Sequence, residues 1–435
     1  MQSDIVTHIQ DAVRPGESVD MYYSNQENSV KQAHATTVEN RYFLDLNSKT
    51  FGSANTLIFN PDEGLGHIVL TLQLPAPDGT TTYQGLALNR GWGYNAIRRI
   101  GLRIGGSTLY YFSGDQCLID VLADAEDSVK KQNLFDLGGN PLSCLPNGGG
   151  AGDFASQSLR TAYVYIKLPF NSPSAQEKPL PLPTDLLTSP VQINIEFKAA
   201  SEIFHASQVV ANAQPLSPLP TAFALAQAQW EQTHFDDRGE QLARKVNMSE
   251  MAYSYPLKYF PQEVFRLQNV QGNNVTQSLT LTGLRSGNCL GLRIWCIDDA
   301  AVANKDVSLY TVPTQVTLSV NGLIYFDSRN GQQQLWSLLD RKSAAQWSAD
   351  TITVVGAPTY AFSNAAASSY WTHIPFSQHS EVLANESELS HGLSLMNSIV
   401  NLQIALPGNT TYTVVAEYLF NSTLLFSRGS AEYVF

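Results

Sequence analysis

Charge is scarce in this chain. Only 15% of its 435 residues are Asp, Glu, Lys or Arg, against roughly 25% in an average soluble protein. A surface so poor in charge, and rich in Tyr, Phe, Gln, Asn, Ser and Thr, suits a molecule packed against neighbours. Basic residues are the scarcer kind, 26 against 38 acidic, for a net charge of −12. No Lys/Arg-rich run exists, so direct binding to a nucleic-acid backbone is not expected. There are four cysteines, Cys117, Cys144, Cys289 and Cys296, with no CxxC spacing and no companion His cluster. They read as free, buried thiols in a reducing compartment. No apolar run approaches the ~18 residues of a membrane span, and the first residues lack the basic and apolar regions of a secretory leader.

Catalytic signatures are missing as well. There is no G-x-S-x-G, no H-E-x-x-H, and no Gly-Lys-Ser/Thr in the glycine-rich stretch from Gly138 to Asp153, which reads as a flexible surface loop. His373 and His379 lie close in sequence but have no third ligand beside them, so no metal is expected. The pairs Asp236-Asp237 and Asp298-Asp299 lack the alternating spacing of an oxygen-ligand loop and read as solvated charge. No catalytic, cofactor-binding or metal-binding residue is assigned, and the protein is not expected to be an enzyme. The sequons at Asn247, Asn274, Asn385, Asn409 and Asn421 read as chance occurrences in an Asn/Ser/Thr-rich chain.

What the chain does have is one ordered set of strand signatures twice over. Leu102-Arg103-Ile104-Gly105-Gly106 is matched by Leu318-Ser319-Val320-Asn321-Gly322. Each is followed by an aromatic-rich stretch, Leu109 to Ser113 and Leu323 to Ser328. Each then has an apolar helical patch, Leu118-Ile119-Asp120-Val121-Leu122 and Leu335-Trp336-Ser337-Leu338-Leu339. Leu168-Pro169-Phe170 pairs with Ile374-Pro375-Phe376, and Val191 to Phe197 with Val400 to Leu406. A repeat this long means two similar β domains in tandem.

Period-2 alternation predicts strands at 41–46, 67–74, 97–104 and 162–168, then at 262–269, 290–297, 314–326, 370–376, 398–406, 411–420 and 431–435. Pro179 to Pro183 is read as an extended connection. A helix is expected from Thr221 to Lys245 as a connector. The expected fold is all-β: two tandem eight-stranded jelly rolls with a short connecting helix. Its parts are an N-terminal amphipathic segment at 1–20, a first jelly roll at 21–212, a linker with helix at 213–247 and a second jelly roll at 248–435. Within the first segment Ile5, Ile9 and Val13 share one helical face. That face needs a cover, either its own domain or an underlying shell protein or membrane. Trp92, Trp230, Trp295 and Trp336 sit in patterned apolar segments and are assigned to core packing. Gly106, at a strand end, is expected to need positive φ.

The run from Gly91 to Gly106 (GWGYNAIRRIGLRIGG) resembles the strand-and-turn signature of double jelly-roll major capsid proteins of eukaryotic DNA viruses, a group spanning nucleocytoplasmic large DNA viruses, virophages and polinton-like viruses. The segments Leu168 to Phe170, Pro179 to Pro183 and Val191 to Phe197 are similar to a second signature of that family, with Asn171-Ser172 departing where an aromatic pair is common. Ile374 to Phe376, Gly392-Leu393-Ser394 and Tyr418 to Phe435 resemble its closing strands. The resemblance implies a homotrimeric, pseudo-hexagonal capsomer in the icosahedral shell of a double-stranded DNA virus. It implies contacts with neighbouring capsomers, minor capsid and penton proteins and an internal membrane reached by the N-terminal segment. It also implies a virion location, after assembly in host cytoplasm or nucleus. The alternatives are a minor or vertex-associated double jelly roll of the virion and a carbohydrate-binding jelly-roll protein.

Overall fold

Burial alternates residue by residue along most strands of the computed structural model, as in Val191–Phe197, whose odd-numbered side chains are all inside. The structure describes residues 38–60, 64–78, 83–104, 107–123, 128–144, 152–166, 168, 182–184, 187–206, 218–234, 253–259, 262–267, 276–282, 288–298, 310–311, 313, 315–327, 372–376, 393–395, 398–406, 411–427 and 430–434.

The first half runs β1 (Val38–Asp45), β2 (Ala54–Phe59), β3 (Gly64–Gln73), β4 (Leu86–Leu88), α1 (Trp92–Asn95), β5 (Ile97–Ile104) and β6 (Ser107–Phe112). Next come α2 (Gly114–Ala123), α3 (Ser128–Leu137), β7 (Leu142–Ser143), β8 (Thr161–Ile166) and β9 (Leu182–Pro183). It closes with β10 (Val191–Phe197), α4 (Ala200–Ile203), β11 (His205–Ala206) and β12 (Leu225–His234). The second half begins with β13 (Tyr253–Tyr259), β14 (Gln262–Leu267), β15 (Thr276–Leu281), β16 (Asn288–Asp298), β17 (Tyr310–Thr311) and β18 (Gln315–Val320). It ends with β19 (Leu323–Asp327), β20 (Thr372–Pro375), β21 (Leu393–Ser394), β22 (Val400–Ala405), β23 (Tyr412–Ser427) and β24 (Ser430–Val434).

Each half stacks two antiparallel sheets. In the first, β1-β12-β3-β8 faces β2-β10-β5-β6, and their inner side chains form one core. In the second, β16 and β23 with their flanking strands face β15-β22-β18-β19. The order β2-β10-β5-β6 is repeated as β15-β22-β18-β19, strand for strand. Even the irregularities recur. The β5–β6 hairpin is bulged after Leu102 and the β18–β19 hairpin after Leu318, its counterpart. Leu102 pairs with Tyr110 and Leu318 with Phe326, so the two hairpins share one register. A bulge bends its strand, and its position is inherited with the architecture.

Two expectations are corrected. The stretch Leu225–His234 is not a helix: it is the strand β12, hydrogen-bonded to β1 on one side and β3 on the other. Its Ala, Gln and Leu content favours helix. Yet Ala226 and Ala228 alternate with Gln227 and Gln229, and the small apolar residues fill the inner face of a central strand. Residues 235–245 lie outside the described residues. The stretch Gly138 to Asp153 is not wholly a surface loop either. Leu142, Ser143 and Cys144 are buried, β7 pairs with β4, and Asp153 accepts a bond from the Ser143 amide at 3.0 Å. The other expected strands are present, with 314–326 divided by a turn into β18 and β19. Of the Pro179 to Pro183 connection, the described part is β9, where Leu182 and Pro183 lie against the start of β3. The N-terminal segment, Gly106 and Leu335 to Leu339 lie outside the described residues.

The turn between β18 and β19 is Asn321-Gly322, with φ of 51° and 83°. Two successive left-handed residues make the turn whose twist matches a two-residue hairpin. The Asn321 side chain accepts from the Ile399 amide at 2.9 Å and its own amide donates to the Ile399 carbonyl at 2.8 Å, tying the turn to the approach of β22. Gly322 is the counterpart of Gly106. Replacing Gly322 by Val forces a β-branched residue into positive φ, and about 1–3 kcal/mol of stability should be lost. Thermal unfolding checks this; an unchanged midpoint would refute the turn's role.

Candidate functional site

Three charged residues are embedded in apolar runs: Asp120 in Leu118 to Leu122, Arg293 in Leu292 to Cys296, and Glu417 in Val414 to Phe420. The fold brings them together with Gln116 where the two sandwiches meet. Arg293 lies on β16 and Glu417 directly opposite on β23. Arg293 Nη2 is 2.7 Å from Asp120 Oδ1, and Arg293 Nε is 2.9 Å from Glu417 Oε2. Gln116 Nε2 donates to the other Glu417 oxygen at 2.6 Å. All four residues are buried, Gln116 and Glu417 completely.

The first sandwich supplies Gln116 and Asp120 from α2. Ser113 caps that helix, its hydroxyl accepting from the Gln116 amide at 3.1 Å. Gly114 opens it against the Tyr94 carbonyl, so close that a Cβ would lie 2.0 Å from that oxygen. Residues at i and i+4 share a helical face, so Gln116 and Asp120 point the same way, toward β16 and β23. Leu118, Ile119 and Leu122 pack into the first core instead. A helix buried on all sides is the result.

The central strands β16 and β23 of the second sandwich are buried on both faces for the same reason. Along β16, Leu292, Ile294 and Cys296 face their own core, while Arg293 and Trp295 face the first sandwich. Along β23, Val414, Ala416 and Tyr418 face inward, and Val415, Glu417 and Leu419 face α2. Trp295, Val415 and Leu419 belong to the first sandwich's core cluster. Water excluded by these apolar neighbours strengthens the ion pairs, and leaves any unpaired charge there costly.

The thiols are packing groups. All four cysteines are free and buried. Burial pushes the Cys289 thiol up to about 12 and raises Cys144 and Cys296 as well, which disfavours the thiolate a nucleophile or metal ligand needs. Among the described residues no group of three His, Cys, Asp or Glu is gathered that could hold a metal. His373 pairs through its backbone with Arg293, while His379, Asp236, Asp237 and Asp299 lie outside the described residues. Trp92 and Trp295 are buried as expected, and Trp230 is half-buried against Phe59. Exposed apolar side chains gather where the β18–β19 hairpin meets the loop before β22: Leu323, Ile324, Tyr325 and Ile399.

No family of known sequences and no curated protein matches the chain. Solved structures do. VP54 of PBCV-1, fitted into a reconstruction of the virophage Sputnik, is 12% identical, with a TM-score of 0.62 over 93% of this chain and 98% of that one. A quasi-atomic model of the PBCV-1 virus capsid is 12% identical with a TM-score of 0.58, covering 93% and 98%. The Faustovirus major capsid protein is 9% identical with a TM-score of 0.56, covering 92% of each. The chain has the double jelly-roll fold of these capsid proteins.

The junction makes a firm expectation. Arg293→Met strands two buried carboxylates without their cation and should cost about 3–5 kcal/mol. Replacing Asp120 and Glu417 by Leu in the same chain should recover most of that loss, because an apolar core of similar volume needs no compensation. Urea unfolding of the single and triple variants measures both. Equal stability of Arg293→Met and the parent would mean that the pairs contribute nothing.

Proposed function

We propose that this chain is a major capsid protein whose homotrimer is a pseudo-hexagonal capsomer in the icosahedral shell of a double-stranded DNA virus. The observation that carries the reading is the match of the whole double jelly roll, across 93% of the chain, to capsid proteins of similar length. Physical features support it. Two like sandwiches per chain give six like lobes in a trimer, an outline that tiles a hexagonal lattice. The repeat places a head-to-tail contact inside each chain, and a contact of that kind continued between chains closes a ring. Low charge density suits the burial that obligate interfaces demand, on the order of 2,000 Å² or more.

On this reading the protein is structural and not an enzyme. It resides in the virion after assembly in host cytoplasm or nucleus, and meets neighbouring capsomers and minor capsid or penton proteins. The acidic balance argues against a direct role in holding the genome. The N-terminal segment would meet the layer beneath, a protein or an internal membrane.

Size exclusion with light scattering tests the assembly. Three copies of 47.7 kDa come to about 143 kDa, and a species of that mass should survive dilution. A monomer at every concentration would count against the capsomer. Removal of residues 1–13 should leave the trimer intact and weaken its attachment to the inner layer; loss of the trimer would place that segment within the capsomer instead.

A further inference from the structure

The internal repeat has a consequence for the first sandwich. The tripeptides Leu168-Pro169-Phe170 and Ile374-Pro375-Phe376 align β8 with β20, so Ile166 corresponds to Thr372. Ile166 pairs with Ile68, which pairs with Trp230; Thr372 pairs with Ile294, which pairs with Ala416. One residue along each strand, His67 therefore stands where Arg293 stands, and Glu231 where Glu417 stands. The counterparts also meet: His67 Nε2 is 4.0 Å from Glu231 Oε2, and His67 Nδ1 is 2.5 Å from the Tyr165 hydroxyl. Both strands even carry their bulge toward the same end.

The two faces differ in their cover. In the second sandwich α2 lies on this face, within the chain. In the first sandwich the face of His67, Val69, Gln229 and Glu231 is half-buried, and Tyr163 is 46% exposed. The sequence repeats the pattern of the covering helix. Aligning Leu118 to Leu122 with Leu335 to Leu339 sets Gly331 at Gly114, Gln333 at Gln116 and Ser337 at Asp120, and Asn330, a residue type favoured at N-caps, at Ser113. The substitutions compensate. Glu and Gln are kept on both sides, and where the permanent cation Arg293 becomes His67, its acidic partner Asp120 becomes the neutral Ser337. The two residue sets are thus matched, one ionic and one polar.

We propose that the outer face of β3, β12 and β8, centred on His67 and Glu231, docks segment 330–339 of a second copy of this chain, as β16 and β23 dock α2. The proposal rests on the capsomer reading and names the surfaces that close the ring. The intra-chain junction and the inter-chain junction are then two versions of one contact.

Val69→Arg plants a charge at the middle of the face, on a side chain directed away from the core. It should reduce the species from three copies to one in light scattering, while circular dichroism still shows a folded β protein. Thr56→Arg, exposed on the opposite sheet, should leave the mass alone. A second test does not depend on how Val69→Arg folds. Gln229→Cys combined with Ser337→Cys should cross-link copies with a short bismaleimide, the four native thiols being buried, and Thr56→Cys with Ser337→Cys should not. A trimeric parent whose mass survives Val69→Arg and whose Gln229/Ser337 pair does not cross-link would overturn this docking face and leave the capsomer standing. A parent that is monomeric throughout and never cross-links would overturn the capsomer reading, and this one with it.

Discussion

A buried charge has to be compensated, and that constraint organises the junction of this molecule. Arg293 between Asp120 and Glu417, with Gln116 on the remaining carboxylate oxygen, satisfies it with groups drawn from both sandwiches. The set does not need to be strongly stabilising to matter, since desolvation offsets much of the Coulomb gain. Its effect is orientational. Any sliding or rotation of one sandwich against the other separates an ion from its partner in a water-free setting, which costs more than the loss of an equal apolar contact. Trp295, Val415 and Leu419 then bury apolar surface around it without having to specify direction.

The same constraint explains the pattern of β16 and β23. A sheet in a sandwich ordinarily shows one polar face. Here both faces are covered, so the strands read as nearly continuous apolar runs interrupted by one charge each. The first sandwich keeps the ordinary pattern on β3 and β12, with Thr71, Gln73, Gln227 and Gln229 facing outward. Two copies of one architecture have thus been adapted to unlike surroundings, while their strand order and bulges stayed the same.

How legible this was depended on the range of the interaction. The paired signatures in the two halves, the alternation in β3, β8, β10 and β22, and the burial of the four thiols could all be read from neighbours in sequence. The β12 strand could not. Ala, Gln and Leu point to helix locally, and only pairing with β1 and β3, both more than a hundred and fifty residues earlier, selects strand. The bulge shared by the two hairpins was likewise announced by no periodicity. At the junction a signal did exist: an Arg, a Glu and an Asp, each isolated within an apolar stretch, need partners. Which partners they have was not in the pattern.

The sequence by itself determined two β-sandwich halves of one kind, because side-chain alternation and turn residues act over a few positions and are written twice. It also determined that three charges must be compensated. The tertiary structure alone decided that Gln116 reaches Glu417, 301 residues away, and that one helix serves as the lid of another sandwich's sheet. Such contacts depend on the summed geometry of two folded cores, and no local preference encodes them.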